Sequence, residues 1–186
     1  MLPLVLHLAL PDWLGDAIDP ARRYADDEAR VGLAIELARR NVEERSGGPF
    51  GAVVFDGEGR VAGAGVNRVV AQHCSAAHAE ILAIATAQAA LQRARLNAGG
   101  GRFVLATSAQ PCAMCYGATF WAGIDELLVG ARGEDVMALS AFDEGPLPAD
   151  WIGELARRGI AVRRDILRDA AGAVFQRYAE LGGRAY

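Results

Sequence analysis

Apolar positions along the chain change period several times, and each change marks an element. Across residues 26–45, Val31, Ala34, Ile35, Ala38 and Val42 recur at helical spacing, and Gly47, Gly48 and Pro49 stop that helix. Residues 50–55 form a short apolar run with β-branched members, the mark of a buried strand. Asp56-Gly57-Glu58-Gly59 is a turn, and 60–66 is the returning strand of a hairpin. Residues 78–96, dense in Ala, Leu, Ile and Gln, predict a buried helix. Strands are expected at 103–107, 126–131 and 160–166. Helices are expected from Pro111 through Trp121, at 134–139, at 151–158 and at 168–181. Helices between single strands imply parallel pairing, and the opening hairpin implies one antiparallel pair. The expected fold is α/β: a three-layer α/β/α arrangement around a mixed five-stranded sheet.

Composition narrows the function without choosing it. The 186 residues suit one domain, 1–186, with 1–25 read as an N-terminal extension packing on it. The apolar start, Met1 to Leu10, lacks a basic leader and a small-residue cleavage pattern, so it reads as such a segment rather than as a signal peptide. No stretch has the length of a membrane span. A net charge of −4 offers no field for a polyanion, so no nucleic-acid partner is expected and a small substrate fits better. Three cysteines, Cys74, Cys112 and Cys115, argue against a disulfide scaffold and for a reducing cytoplasm.

Two motifs carry chemistry: His78-Ala79-Glu80, and Pro111-Cys112-Ala113-Met114-Cys115. Together they match the H-x-E and P-C-x-x-C signature of zinc nucleobase deaminases. Cys112 and Cys115, three apart at a helix start, can meet one ion, and the free N–H groups there favour thiolates. His78 supplies a third ligand. Three protein ligands leave the fourth position of Zn2+ for water, as catalytic sites do. Glu80, two residues from His78 at a second helix start, is placed to shuttle protons between that water, a ring nitrogen and the departing amine. Either motif alone is weak evidence, since C-x-x-C is often structural or redox-active. Cys74, His73 and His7 have no partners at metal spacing and read as packing or loop residues.

At these residues the sequence resembles the cytidine deaminase-like superfamily, and within it the bacterial guanine deaminases. The likeness runs from Gly47-Gly48-Pro49-Phe50-Gly51-Ala52-Val53, through Gly65-Val66-Asn67 and the two metal motifs, to Trp121 and Phe142-Asp143-Glu144-Gly145-Pro146. Asn67-Arg68-Val69-Val70 and the 142–146 stretch are most similar to guanine deaminases that also accept the triazine ammeline. The resemblance implies zinc-dependent hydrolysis of guanine to xanthine and ammonia in a homodimer. It also implies that Asn67 and the backbone N–H of Ala79 bind the base's carbonyl, that Phe50 and Trp121 border the ring, and that Glu144 meets the ring edge and is a second proton carrier. Guanine's N1–H and 2-amino edge offers donors a carboxylate accepts. By residue type alone, Phe50 and Trp121 could be plain packing, Asn67 a turn residue and Glu144 a solvated loop residue. Tyr186 could lie near a base or fray at the chain's end. A tRNA adenosine deaminase, a cytosine deaminase and a non-catalytic zinc module share the metal motifs.

Overall fold

The computed structural model describes residues 2 and 4–185. A short helix α1 (Trp13–Asp16) precedes the long α2 (Asp27–Glu43). The hairpin β1 (Gly51–Phe55) and β2 (Val61–Val66) follows, then α3 (Ala79–Leu91). The chain continues with β3 (Val104–Ala109), α4 (Ala113–Trp121), β4 (Glu126–Ala131) and α5 (Gly133–Leu139). It ends with α6 (Trp151–Arg157), β5 (Ala161–Arg163) and α7 (Arg168–Glu180).

The strands form one sheet in the order β2-β1-β3-β4-β5. β1 is antiparallel to both β2 and β3, whereas β3, β4 and β5 run parallel. This is the mixed five-stranded α/β sheet that the hydrophobic pattern predicts. Alternate side chains feed two cores. Val53, Phe55, Val104, Ala106 and Leu128 pack with α2 and α7. Ala52, Val54, Leu105, Leu127 and Val129 pack with α3 and the far ends of α4 and α6.

Two elements end well short of the sequence reading, and one short helix is new to it. The helix expected to run to residue 96 stops at Leu91, where Gln92 turns left-handed (φ 52°) and lets Leu96 drop into the second core. The last strand is three residues long instead of seven, because Asp165 and Leu167 take positive φ and leave the sheet edge before α7. α1 was not anticipated, being one turn without a side-chain cap. Leu14 and Tyr24 of the first 25 residues are buried, and Trp13 Nε1 donates to Ser46 Oγ at 3.1 Å, whereas Leu2, Leu4, Val5 and Leu6 are exposed.

Two helices lie unusually close to the hairpin, and glycine permits it. A Cβ on Gly65 would collide with the carbonyl oxygen of Ala79 and stand 2.5 Å from the Ala83 nitrogen. A Cβ on Gly51 would stand 2.7 Å from the Ala38 nitrogen of α2. Gly65 thereby sets the height at which the first turn of α3 rests on the sheet.

Candidate active site

The sheet's mixed direction collects the site. Antiparallel pairing puts the start of β1 beside the carboxyl end of β3, with the end of β2 next to it. Gly51 N–H donates to Ser108 Oγ across that junction at 3.1 Å. α3 and α4 both begin at this edge, the crevice side on which open α/β sheets bind ligands.

His78 is the N-cap of α3 and Cys112 the N-cap of α4, both extended in backbone, and neither side chain caps its own helix. They face each other instead, with His78 Nδ1 3.6 Å from Cys112 Sγ. Cys115, in the first turn of α4, is fully buried. One ligand atom from each of the three lies within 4.8 Å of the others. All three cysteines are free thiols.

The local charges suit a cation. Cys112 is pulled down to about 4, chiefly by the hydrogen bond from Cys115 and then by His78, against the opposing effect of burial. The bond that favours the Cys112 thiolate pushes the Cys115 thiol up, and burial adds to the rise. Burial works to lower His78, but its contact with Cys112 and the nearby Glu80 outweigh it and raise it. A sulfur of lowered proton affinity with an imidazole and a second sulfur at this spacing fits a tetrahedral zinc donor set.

Beside the triad is a cavity of about 110 Å³. His78, Glu80 and Cys112 form one side, Phe50 and Phe142 the aromatic wall, and Gln110, Asp143 and Glu144 the remainder. Glu80, at the second position of α3, is only 6% exposed. Burial pushes it up to about 7, and the Cys112 charge adds to the rise. Glu144 is pushed up to about 8, again by burial first and then by Glu80 and Cys112. Two carboxyls so placed hold or release protons near neutrality.

The 142–146 loop is fastened to the first turn of α4. Ala113 N–H, in the first turn of α4, donates to the backbone oxygen of Glu144 at 2.9 Å. Gly145 turns with φ +68°, and its N–H donates to Asp143 Oδ1 at 2.9 Å. Phe142 is buried edge-on to Phe50, with ring centroids 5.1 Å apart, and Phe50 also meets Phe175 of α7 at 5.3 Å.

Of the residues singled out by sequence, Phe50, His78, Glu80, Cys112 and Glu144 border this one cavity, and Cys115 lies behind them. Asn67 is buried just behind the wall. Its N–H donates to the Phe50 oxygen at 3.0 Å, its Oδ1 accepts from Val69 N–H at 3.2 Å, and its own carbonyl is held by Asn41 Nδ2 at 3.0 Å. Ala79 is buried between His78 and Glu80, with one of the N–H groups that a helix start leaves unpaired. Trp121 lies elsewhere. It is 74% exposed at the end of α4 and borders a separate surface recess with Arg95 and Phe120. Tyr186 lies outside the described residues. Gln110 and Phe142 enter the cavity without having been singled out for it. Their only signal is position, directly before Pro111-Cys112 and two residues before Glu144.

Residues 25–131 match the cytidine and deoxycytidylate deaminase zinc-binding region. The chain belongs to that deaminase family. Guanine deaminase from Nitrosomonas europaea is 46% identical, with a TM-score of 0.91 over 97% of this chain and 99% of that one. A structure solved with 2,6-diaminopurine is 47% identical, with a TM-score of 0.91 over 98% of this chain and 96% of that one. Guanine deaminase from Bacillus subtilis is 36% identical over 111 residues, which are 60% of this chain and 67% of that protein. Membership of this family and likeness over nearly the whole chain mark the protein as a hydrolytic deaminase of the guanine deaminase type.

Proposed function

We propose that this chain hydrolyses guanine to xanthine and ammonia. The observation that carries the reading is the cavity itself: an aromatic wall and two carboxyls of raised proton affinity face a His/Cys/Cys triad. His78, Cys112 and Cys115 would hold a zinc ion, whose Lewis acidity makes water a nucleophile near neutral pH. Phe50 and Phe142 line the flat slot for the ring and keep bulk water from it. The Glu80 carboxyl, beside the triad, takes a proton from water and passes it to a ring nitrogen. Glu144 accepts the N1–H and 2-amino edge when ionised, or hands a proton to the leaving amine when protonated. Asn67, pinned against the Phe50 backbone, and the Ala79 N–H offer donors to the carbonyl.

Balance requires one water in and one ammonia out, with no redox partner. Ammeline presents the same oxo group beside an amino-bearing carbon and is the second substrate of this reading. We also propose the homodimer that the resemblance implies, which would cover Trp121 and the adjoining aromatic face of α4. The test is ammonia release from guanine, ammeline, cytosine, adenosine and a tRNA anticodon stem by zinc-loaded protein. Turnover of guanine is expected. Turnover of cytosine, adenosine or tRNA with guanine and ammeline both inert overturns the assignment. Zinc bound with no turnover of any of them leaves a non-catalytic module. Sedimentation at rising concentration reads the oligomer.

A further inference from the structure

We infer that Gln110 is a specificity-determining residue that donates a hydrogen bond from Nε2 to an acceptor on the edge of the bound ring. The inference rests on the guanine reading above and deepens it. Gln110 is the first residue after β3, and its backbone N–H donates to the Ala131 oxygen at 2.8 Å, which continues the parallel β3–β4 pairing by one bond. Its side chain borders the cavity.

Which way the carboxamide points follows from its other partner. Gly133 N–H, at the buried first position of α5, reaches Gln110 Oε1 at 3.3 Å. A backbone N–H can only donate, so the oxygen of the amide must face it. Nε2 beside it then carries two N–H groups, and no protein acceptor meets them among the described residues. Nε2 is also not among the buried polar atoms that lack a partner, so it keeps some exposed surface on a residue that borders the cavity.

The rest of the polar lining makes this donor distinctive. Glu80, Asp143 and Glu144 are acids, and His78 belongs to the His/Cys/Cys triad. Gln110 is the uncharged side-chain donor bordering the cavity. Guanine carries O6, N3 and N7 as acceptors; the Asn67 and Ala79 donors proposed above answer O6, and ionised acids alone would leave N3 and N7 unanswered. A neutral donor held rigid at two points can reject rings that lack the matching acceptor, because its N–H groups would then be stranded. Gly133 is part of the device. A Cβ there would stand 2.9 Å from Gln110 Nε2 and displace the amide.

The test separates a recognition role from a structural one. Gln110→Glu retains an oxygen for Gly133 N–H and the same length, but replaces the free N–H groups by a second acceptor. Guanine KM should rise roughly 10-fold or more with zinc content and thermal midpoint kept, as loss of one hydrogen bond with a stranded partner predicts. Gly133→Ala should raise KM in the same direction with Gln110 intact.

Inhibition constants of 2-aminopurine, 3-deazaguanine and 7-deazaguanine, which lack O6, N3 and N7 respectively, complete the cycle. One of the three penalties relative to guanine should shrink towards unity in Gln110→Glu and stay full in wild type. If Gln110→Glu keeps wild-type KM, or all three penalties persist in it, the inference is overturned and Gln110 only supports α5. If wild-type protein leaves guanine untouched but deaminates another ring of the panel, the guanine reading fails. The same KM comparison on that ring then decides the role of Gln110.

Discussion

Replacing Gly65 by alanine tests whether the hairpin sets the position of the catalytic helix. The added Cβ would lie 2.5 Å from the Ala83 nitrogen and 2.9 Å from Leu82 Cβ, where ordinary contact begins at 3.4 Å. The shortfall at the Ala83 nitrogen is about 0.9 Å and at the Ala79 oxygen greater, and both obstacles are backbone, so α3 must lift by most of that distance. Overpacking of this kind costs about 1–3 kcal/mol. In a chain of this length each kcal/mol lowers Tm by roughly 2–4 °C. The lift falls on the turn carrying His78 and Glu80, because the colliding oxygen is that of Ala79. A misplacement of about 1 Å at the chemistry costs on the order of 100-fold.

Gly63→Ala is the matched control. Its Cβ would stand 2.5 Å from the Ala83 oxygen and 2.7 Å from Ala87 Cβ, further along the same helix. Thermal unfolding and kcat/KM for guanine, measured on zinc-loaded protein, should show similar Tm losses but a much larger activity loss for Gly65→Ala. Wild-type kcat/KM in a folded Gly65→Ala protein would refute the argument that this glycine sets the site.

Glu80→Ala should keep stoichiometric zinc by elemental analysis and lose turnover by roughly 100- to 10,000-fold, the span of a general acid–base group; full activity would remove Glu80 from proton transfer. Glu144→Gln should lower guanine turnover by on the order of 100-fold, since the amide keeps the loop's shape but neither ionises nor donates a carboxyl proton; an unchanged rate makes Glu144 a solvated loop residue. Metal-stripped protein should lose stability as pH rises. Glu80 and Glu144 go from 4.5 to about 7 and about 8 on folding, so the native state holds protons that the unfolded chain releases. The share of these two carboxyls is full below about pH 4.5 and disappears as pH passes through 7 to 8. The Cys112 thiol, pulled down from 9.0 to about 4, opposes one of the two carboxyls over the same range, so the urea midpoint should fall between about pH 4.5 and 7, and Glu144→Gln should flatten the fall; a midpoint that climbs with pH contradicts the assignment.

Much of the fold was legible because its causes are local. The unbroken apolar run of 50–55 reports a strand covered on both faces, and the Ala-rich run after His78 reports a helix buried against it. The metal triad was legible because its three members come from two short motifs. What escaped depends on tertiary contacts. The end of α3 at Leu91 follows from the pull of Leu96 into the second core, not from weak helix propensity. Strand β5 stops early because the chain bends with positive φ at Asp165 and Leu167, residues with no strong turn signature. Gln110 is an ordinary polar residue until Gly133 orients it, and no local pattern announces such a pairing across 23 positions. Trp121 matched the resemblance in sequence, yet its helix points it outward.

The hydrogen bond from Ala113 N–H to the Glu144 oxygen joins two tasks that enzymes often keep apart. The turn of α4 that presents Cys112 and Cys115 is also the anchorage of the loop carrying Glu144, which the proposed function sets against the ring. Disturbance of either therefore travels to the other through a single peptide group. Removing the metal should loosen Glu144, and a ring gripping Glu144 should steady the cysteines. Engineering a new ring preference by rewriting residues 142–146 thus carries a hidden condition: the replacement loop must still offer a backbone oxygen to α4, or the change in taste will arrive together with a change in metal affinity.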